Sequence, residues 1–381
     1  MELIGFSIAL FLAGAALARA SPSPRSTQER CSRVAFKKLP ATAQNVAFTH
    51  PPSPNNVTEI LDFLAQSVRE GVETNGTQTV SGEFTINGVY CKPTGHHKDR
   101  NTLQLLVHGI TYNSTMWGGY GLDDRYNWHK YANADGYHTL AIDRLGQGLN
   151  TRTLDPLNVI QPALHVEAIH QLITAVRTDS PKNALDRGFN KIAYVGHSFG
   201  SMIGTSIALN HPGDATALVL TGYSTTIDFR VIQSIHLEPA AAHSPARFPG
   251  VAPGYVVFAS ESERESAFYG GAYDPDVAQH DFAYEDVLTA GEFAAQAVLF
   301  QPAVGYTGNV LAVTGADDII FCPLGGVASC ETILRETGDA FYPNASSFEV
   351  YAPADTGHDL TLHYSVPTTL AKVHQFLGKH F

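Results

Sequence analysis

The sequence predicts an α/β fold: a mostly parallel sheet with helices on both faces. Three observations carry this. Short, nearly continuous apolar runs recur at 103–107, 137–142, 192–195, 215–220, 310–313 and 348–351. Helical stretches stand between several of them, at 162–177, 199–210 and 366–377. At 191–202, KIAYVGHSFGSM, an apolar run passes into a helical one through Gly196-His197-Ser198-Phe199-Gly200. With 381 residues and 44% hydrophobic content, the chain can bury a core large enough for one such domain with an insertion, or for two small domains.

The elements follow in chain order. Residues 3–17 are apolar and end near Ala18-Arg19-Ala20. This small-x-small ending fits a secretory signal peptide over 1–20, although Glu2 stands where a basic residue is usual. The run is short for a membrane span. Residues 21–77 read as an N-terminal extension, Pro/Ser-rich and unstructured at 21–29 and helical over 56–70. Residues 78–86 alternate as a strand does, Asn87-Gly88 has the composition of a hairpin turn, and 89–92 return.

Residues 78–224 form the first part of the core and 301–381 the second. Between them the alternation stops, and 225–300 reads as a cap inserted over the strand ends. This segment has no lysine and is rich in aromatics, among them Phe229, Phe248, Tyr255, Phe258, Phe268, Tyr269, Tyr273, Phe282, Tyr284 and Phe293. It holds eleven acidic residues against Arg230, Arg247 and Arg264. Burying an unpaired carboxylate is costly, so the acids are expected mainly on the outer surface and the aromatics facing Ser198.

Cysteines and sequons agree with export. The four cysteines fall in two pairs, and local pairing gives Cys31–Cys91 and Cys322–Cys330, one of three connectivities. N-x-S/T sequons at Asn56, Asn75, Asn113 and Asn344 are candidate glycosylation sites.

The glycine-bracketed serine is where the chemistry starts. A serine in a sharp strand-to-helix turn needs small neighbours two residues either side, because the two backbones approach closely there. Its hydroxyl is a poor nucleophile without a base in reach and a carboxylate to orient that base. In a parallel sheet both come from loops at strand C-termini. Residues 310–313 end in Thr314-Gly315-Ala316-Asp317-Asp318, and 348–351 lead to Gly357-His358. We assign Ser198 as nucleophile, His358 as base and Asp318 as orienting acid. His363 is the rival base and Asp317 the rival acid. Asp143, also past a strand, reads as a loop residue paired with Arg144 or with backbone. Developing negative charge needs donors: the backbone N–H groups of Phe199, after the nucleophile, and of Ile110, after His108-Gly109.

These motifs resemble the α/β-hydrolase superfamily. Residues 105–109, Asp143-Arg144-x-Gly146-x-Gly148, the 196–200 elbow, Gly315-x-x-Asp318 and Gly357-His358 follow its order over about 80–381. The resemblance, to a secreted serine hydrolase of the kind common in filamentous fungi, implies an eight-stranded, mostly parallel sheet with a cap after the sixth strand. It also implies the triad Ser198, Asp318 and His358 with an oxyanion hole at Ile110 and Phe199. Asn150 ends the loop after Asp143 where the family often has serine. Ile110-Thr111-Tyr112 follow His108-Gly109 in place of the Gly-Gly of many lipases and esterases.

The expected activity is hydrolysis of a carboxylic ester or lactone of a neutral, apolar or aromatic small molecule. The alternative is a non-hydrolytic lyase, or a cyclisation or condensation catalyst, using the same Ser–His pair. No cofactor or metal is expected. A net charge of −12 without a Lys/Arg cluster argues against nucleic acid and anionic membrane surfaces as partners.

Overall fold

A computed structural model describes residues 30–93, 99–178 and 181–381. The expected signal peptide and the Pro/Ser-rich 21–29 lie outside them. The chain enters on strand β1 (Arg30–Phe48), crosses helix α1 (Val57–Glu70) and returns along β2 (Thr74–Lys92). There follow β3 (Thr102–Val107), α2 (Trp128–Ala134), β4 (His138–Ile142), α3 (Pro162–Val176), β5 (Lys191–His197), α4 (Phe199–Asn210) and β6 (Ala217–Thr221). The insertion holds α5 (Phe229–Ser234), β7 (Leu237–Pro239), α6 (Ala240–His243), β8 (Tyr255–Phe258), α7 (Glu261–Phe268), α8 (Pro275–Tyr284), β9 (Leu288–Thr289) and α9 (Ala290–Ala294). The chain ends with β10 (Asn309–Val313), α10 (Val327–Phe341), β11 (Ser347–Tyr351) and α11 (Val366–His380).

The main sheet has eight strands in the order β1-β2-β4-β3-β5-β6-β10-β11. From β4 to β11 every pairing is parallel, and β2 is antiparallel to both β1 and β4. The central strands read as unbroken apolar runs because neither face meets water; every residue of β3, β4 and β6 is buried. Parallel pairing puts the C-terminal ends of β3, β5, β6, β10 and β11 on one edge, where this topology places a ligand. The insertion builds a small antiparallel sheet, β7-β8-β9.

Two sequence expectations change. Asn87-Gly88 is not a hairpin turn: both residues lie inside β2, which runs through to Lys92. Gly88 is there for close approach, since a Cβ on it would sit 2.5 Å from the carbonyl oxygen of Ala141 on β4. The hairpin partner of β2 is β1, which lies within 21–77, so that segment supplies the outer strand of the main sheet as well as α1. Helix α1 forms where the sequence expects it, with the Asn56 side chain accepting the Glu59 N–H as N-cap.

The cysteines pair locally. Cys31 and Cys91 face each other in the β1–β2 register and are bonded, and Cys322 is bonded to Cys330. Asn56, Asn75 and Asn344 are exposed, whereas Asn113 is half-buried and its amide donates to Asp286 at 2.9 Å. No helix among the described residues is long and apolar enough to cross a membrane.

Candidate active site

The turn between β5 and α4 holds Ser198 at φ 52°, ψ −119°, a conformation L-residues rarely adopt. Its surroundings enforce this. Ser198 N–H donates to the Thr221 carbonyl on β6, and Thr221 Oγ1 donates to the Gly196 carbonyl, both at 2.8 Å. A Cβ on Gly196 would lie 2.6 Å from Gly200 and Ser201 backbone, and one on Gly200 would lie 2.1 Å from the Val107 carbonyl. Only glycine fits at either place, and the serine is left at the edge of the sheet.

His358 stands in the loop after β11 and Asp318 in the loop after β10. The His358 Nδ1–H donates to Asp318 Oδ2 at 2.8 Å. The other Asp318 oxygen accepts the N–H groups of Ile320 and Phe321, at 2.9 and 3.0 Å. Asp318 and His358 are buried, and His358 lines one cavity with Ser198. With Nδ1 taken by Asp318, Nε2 is the ring nitrogen free for the cavity. The rings of His197, Phe268 and Phe321 pack around His358 with centroids 5.0, 5.1 and 5.5 Å away.

The rivals are placed elsewhere. His363 braces the His358 loop, donating from Nδ1 to the Asp359 carbonyl at 2.8 Å and accepting the Gly357 N–H on Nε2 at 3.0 Å. Burial pushes its imidazole down to about 4, so it is neutral at both bonds. Asp317 donates its N–H to the Thr356 carbonyl and does not meet His358. Asp143 organises its own loop, accepting the N–H groups of Ser114 and Leu149 at 2.9 and 3.0 Å. Asn150 supports the same loop by donating to the carbonyls of Asp143 and Arg144, at 2.7 and 2.9 Å.

Ile110 and Phe199 both line the cavity. Phe199 opens α4, where an N–H has no acceptor within the helix. The Ile110 loop is held from behind. His108 Nε2 accepts the Arg144 N–H at 3.0 Å, and its Nδ1–H donates to the Gly109 carbonyl at 2.8 Å. Arg144 also donates to that carbonyl at 3.0 Å. Gly109 lets the loop come close, since a Cβ there would lie 3.0 Å from the Ser198 Cβ.

Seven of the cap's eleven acids are exposed or half-buried, but four depart from expectation. Asp281, Glu285, Asp286 and Glu292 are buried, not on the outer surface, and each has a basic or hydroxyl partner. Glu292 pairs with Arg144, with His165 at 2.8 Å and with Gln147 at 2.8 Å. Burial works to raise the Glu292 carboxyl, but Arg144 and His165 outweigh it and hold the group well below the usual carboxylate range. Arg264 binds Asp281 at 2.8 Å, Thr111 Oγ1 at 2.6 Å and Glu285 at 3.4 Å. Tyr112 then links the cap to the His358 loop, donating to Asp359 at 2.6 Å, with Asp281 at 3.3 Å. Burial, reinforced by the charge of Asp281, pushes the Asp359 carboxyl up to about 7. One signal for this network was in the sequence: Arg264 is one of three cations in a strongly acidic segment.

The aromatics divide. Phe229, Phe258, Phe268 and Phe293 line the cavity, while the other cap aromatics do not. Apart from Ser198 and His358, Gln296 is the polar side chain in the lining. Sequence reasoning missed Ile227, at the start of the insertion, and Ile320 and Phe321, from the loop after β10, which face the same space.

Away from the cavity, His170, His211 and Asp214 have ligand atoms within 4.8 Å of one another. The two rings stack face to face, 3.7 Å apart and 7° from parallel, so their lone pairs run side by side instead of converging on one ion. Each is satisfied by a carboxylate, Asp214 at 2.7 Å and Glu167 at 3.0 Å.

Among solved structures the chain is similar to a protein assigned provisionally as a non-heme bromoperoxidase from Mycobacterium tuberculosis H37Rv, at 16% identity over 77% of this chain and 96% of that one, with a TM-score of 0.51. It is also similar to a thermophilic esterase from Thermogutta terrifontis, at 15% identity, 78% and 95% coverage and a TM-score of 0.49. An epoxide hydrolase from Vigna radiata matches at 13% identity, 78% and 95% coverage and a TM-score of 0.49. At such identities these likenesses bear on fold alone. No curated protein matches the sequence. The family's sequence model matches residues 104–373, which take in most of β3, the elbow and both loops that carry Asp318 and His358, and by that match the chain belongs to the alpha/beta hydrolase family.

Proposed function

We propose that the protein is a secreted serine hydrolase acting on a carboxylic ester or lactone of a neutral, apolar small molecule. One observation supports this most: a strained Ser198 shares an apolar cavity with His358, whose other nitrogen is held by Asp318 at 2.8 Å. In this reading Ser198 Oγ attacks the carbonyl while His358 Nε2 takes its proton. The Ile110 and Phe199 N–H groups receive the oxyanion. His358 returns the proton to the leaving alcohol, and water, again deprotonated by His358, releases the acyl group. A haloalkane or epoxide reaction with a carboxylate nucleophile is disfavoured, since serine stands at the elbow.

Export is part of the reading. Two disulfides and three exposed sequons are compatible with an oxidising compartment, and Asn113, whose amide is bonded to Asp286, is the sequon expected to stay unmodified. A mature N-terminus near Ser21 with glycans at Asn56, Asn75 or Asn344 supports it, and an intact Met1 with titratable thiols refutes it.

The experiment is labelling with an organophosphonate probe beside a panel of esters and lactones of graded size. The reading expects label on Ser198 and turnover that Ser198→Ala abolishes. Label on Ser198 without turnover of any ester or lactone favours the lyase or cyclisation alternative. Undiminished turnover by Ser198→Ala removes the acyl-enzyme.

A further inference from the structure

The cavity above Ser198 does not end at the cap. Ile232, Ile235, Leu237 and Phe293 form its far wall, and these same four side chains line a second, more open groove on the outside. The opposite wall of that groove is α1, through Leu61, Leu64, Ala65 and Val68. An apolar partition one side chain thick therefore separates the reacting serine from a surface groove.

The α5 part of the partition is weakly anchored, while Phe293 is buried on α9 and Leu237 is paired in β7. Helix α5 has no fully buried residue, and Phe229, at its start and in the cavity lining, is 48% exposed. Helix α5 is tied to α1 by Gln233 Nε2 on the Val68 carbonyl at 3.5 Å. The polar and charged groups of the groove, Asp62, Arg69, Gln233 and His236, are all exposed, while its floor is aliphatic and aromatic. The inner cavity has no charged side chain apart from what His358 acquires in turnover.

We propose that the cavity and the groove between α1 and α5 form one continuous site for a long, unbranched alkyl chain, with the ester carbonyl at Ser198 and the distal methylenes against α1. This rests on the proposed hydrolase reading and deepens it to a substrate class. A linear chain needs the narrowest opening between Ile235 and Phe293, which line both spaces, and it has no polar group to leave unpaired there. Each methylene moved from water onto such a surface favours binding by roughly fourfold, so selectivity should climb with chain length until the groove is filled. Ring systems and charged groups lack both the passage and partners in the lining. The N-terminal α1, whose Ile60 and Leu64 already share a buried cluster with Val256, Leu288 and Phe293 of the insertion, thus also becomes part of the substrate site.

The test compares kcat/KM for 4-nitrophenyl butyrate, octanoate and dodecanoate, each below its critical micelle concentration, in wild type, Ala65→Trp and Ile235→Trp. Ala65 is exposed, so a tryptophan there fills the groove without entering the core. Dodecyl acetate, beside ethyl acetate, asks whether the chain belongs to the acyl or the alcohol side. We expect the dodecanoate-to-butyrate ratio, or that of dodecyl to ethyl acetate, to exceed ten in wild type and to fall at least tenfold in Ala65→Trp. Ile235→Trp, which narrows the passage, should lower the octanoate ratio too. Ratios that decline with chain length in wild type, or that stay within twofold in both variants, overturn the proposal and leave the hydrolase reading intact. A second readout does not need turnover: calorimetric binding of 1-dodecanol to Ser198→Ala should weaken at least tenfold when Ala65→Trp is added. If no ester is turned over but this binding difference is found, the channel stands and the hydrolase reading fails. Equal binding by the two proteins removes the channel.

Discussion

Asp318 and His358 are joined at 2.8 Å through Oδ2 and Nδ1, and the remaining Asp318 oxygen is fixed by the N–H groups of Ile320 and Phe321. The carboxylate is thus set in orientation before it meets the imidazole. Its neighbour Asp317 makes its backbone contact to Thr356 and has no part in this arrangement. Asp318→Asn is expected to lower kcat by about 10⁴-fold, the scale seen when a triad carboxylate is neutralised. Asp317→Asn should change kcat severalfold at most. Steady-state kinetics on the two variants reads the difference directly, and the reverse ranking would contradict it.

The Ile110 loop is tied to the cap by charge. Glu292 on α9 holds Arg144, and Arg144 holds the Gly109 carbonyl next to Ile110. Glu292→Leu leaves a buried guanidinium without its carboxylate, which costs about 3–5 kcal/mol. Denaturant unfolding should show this loss, and kcat should fall with it because the loop bearing Ile110 is released. The double variant Glu292→Leu/Arg144→Met removes both charges and should recover much of the stability but not the rate.

Asp359 gives a pH dependence with a definite sign. Its folded-state value, about 7, lies above the ordinary 3.8, so the folded protein holds a proton there that the unfolded chain gives up. The stability linked to this group is fully present below about pH 4 and is lost as pH rises towards 7, by on the order of a few kcal/mol. Asp359→Asn keeps an acceptor for Tyr112 and cannot ionise. The stability difference between Asp359→Asn and wild type should therefore move in favour of the variant from pH 4 to 7. A constant difference in urea titrations across that range would contradict the assignment.

The disulfides should differ in weight. Cys31–Cys91 closes a separation of 60 residues and Cys322–Cys330 one of 8, which in the chain-entropy account correspond to about 4 and about 2.5 kcal/mol. The shorter bridge follows directly on the Asp318 loop, where Cys322 N–H donates to the Asp318 carbonyl at 2.7 Å. Paired Cys→Ser variants should show the first losing more stability and the second losing more kcat.

What the sequence made legible was whatever local chemistry demands. The elbow could be read because backbone contacts at Gly196 and Gly200 exclude any larger residue, and the central strands because burial on both faces leaves them uniformly apolar. Asn87-Gly88 misled for the opposite reason. The glycine answers to the Ala141 backbone across the sheet, a contact that nothing in the flanking residues announces. Strand β1 went unseen because several of its inward positions are the small or polar Ala41, Ala43 and Asn45, which leave little apolar alternation in the sequence, and its partner lies beyond α1. The buried acids were missed because each is neutralised by a group distant in the chain, Glu292 by Arg144 and Asp281 by Arg264 together with Tyr112 and Tyr120. Counting charges along the cap could show the excess but not the pairing.

The central claim is an acyl group carried on Ser198. Mixing the protein with 4-nitrophenyl acetate, quenching in acid within milliseconds and mapping peptides by mass tests it most directly. The account predicts an acetyl group on the peptide containing Ser198, appearing before steady-state product release and missing in Ser198→Ala, which should also have lost turnover. Hydrolysis by Ser198→Ala at the wild-type rate, or acetyl found on another side chain, would contradict it.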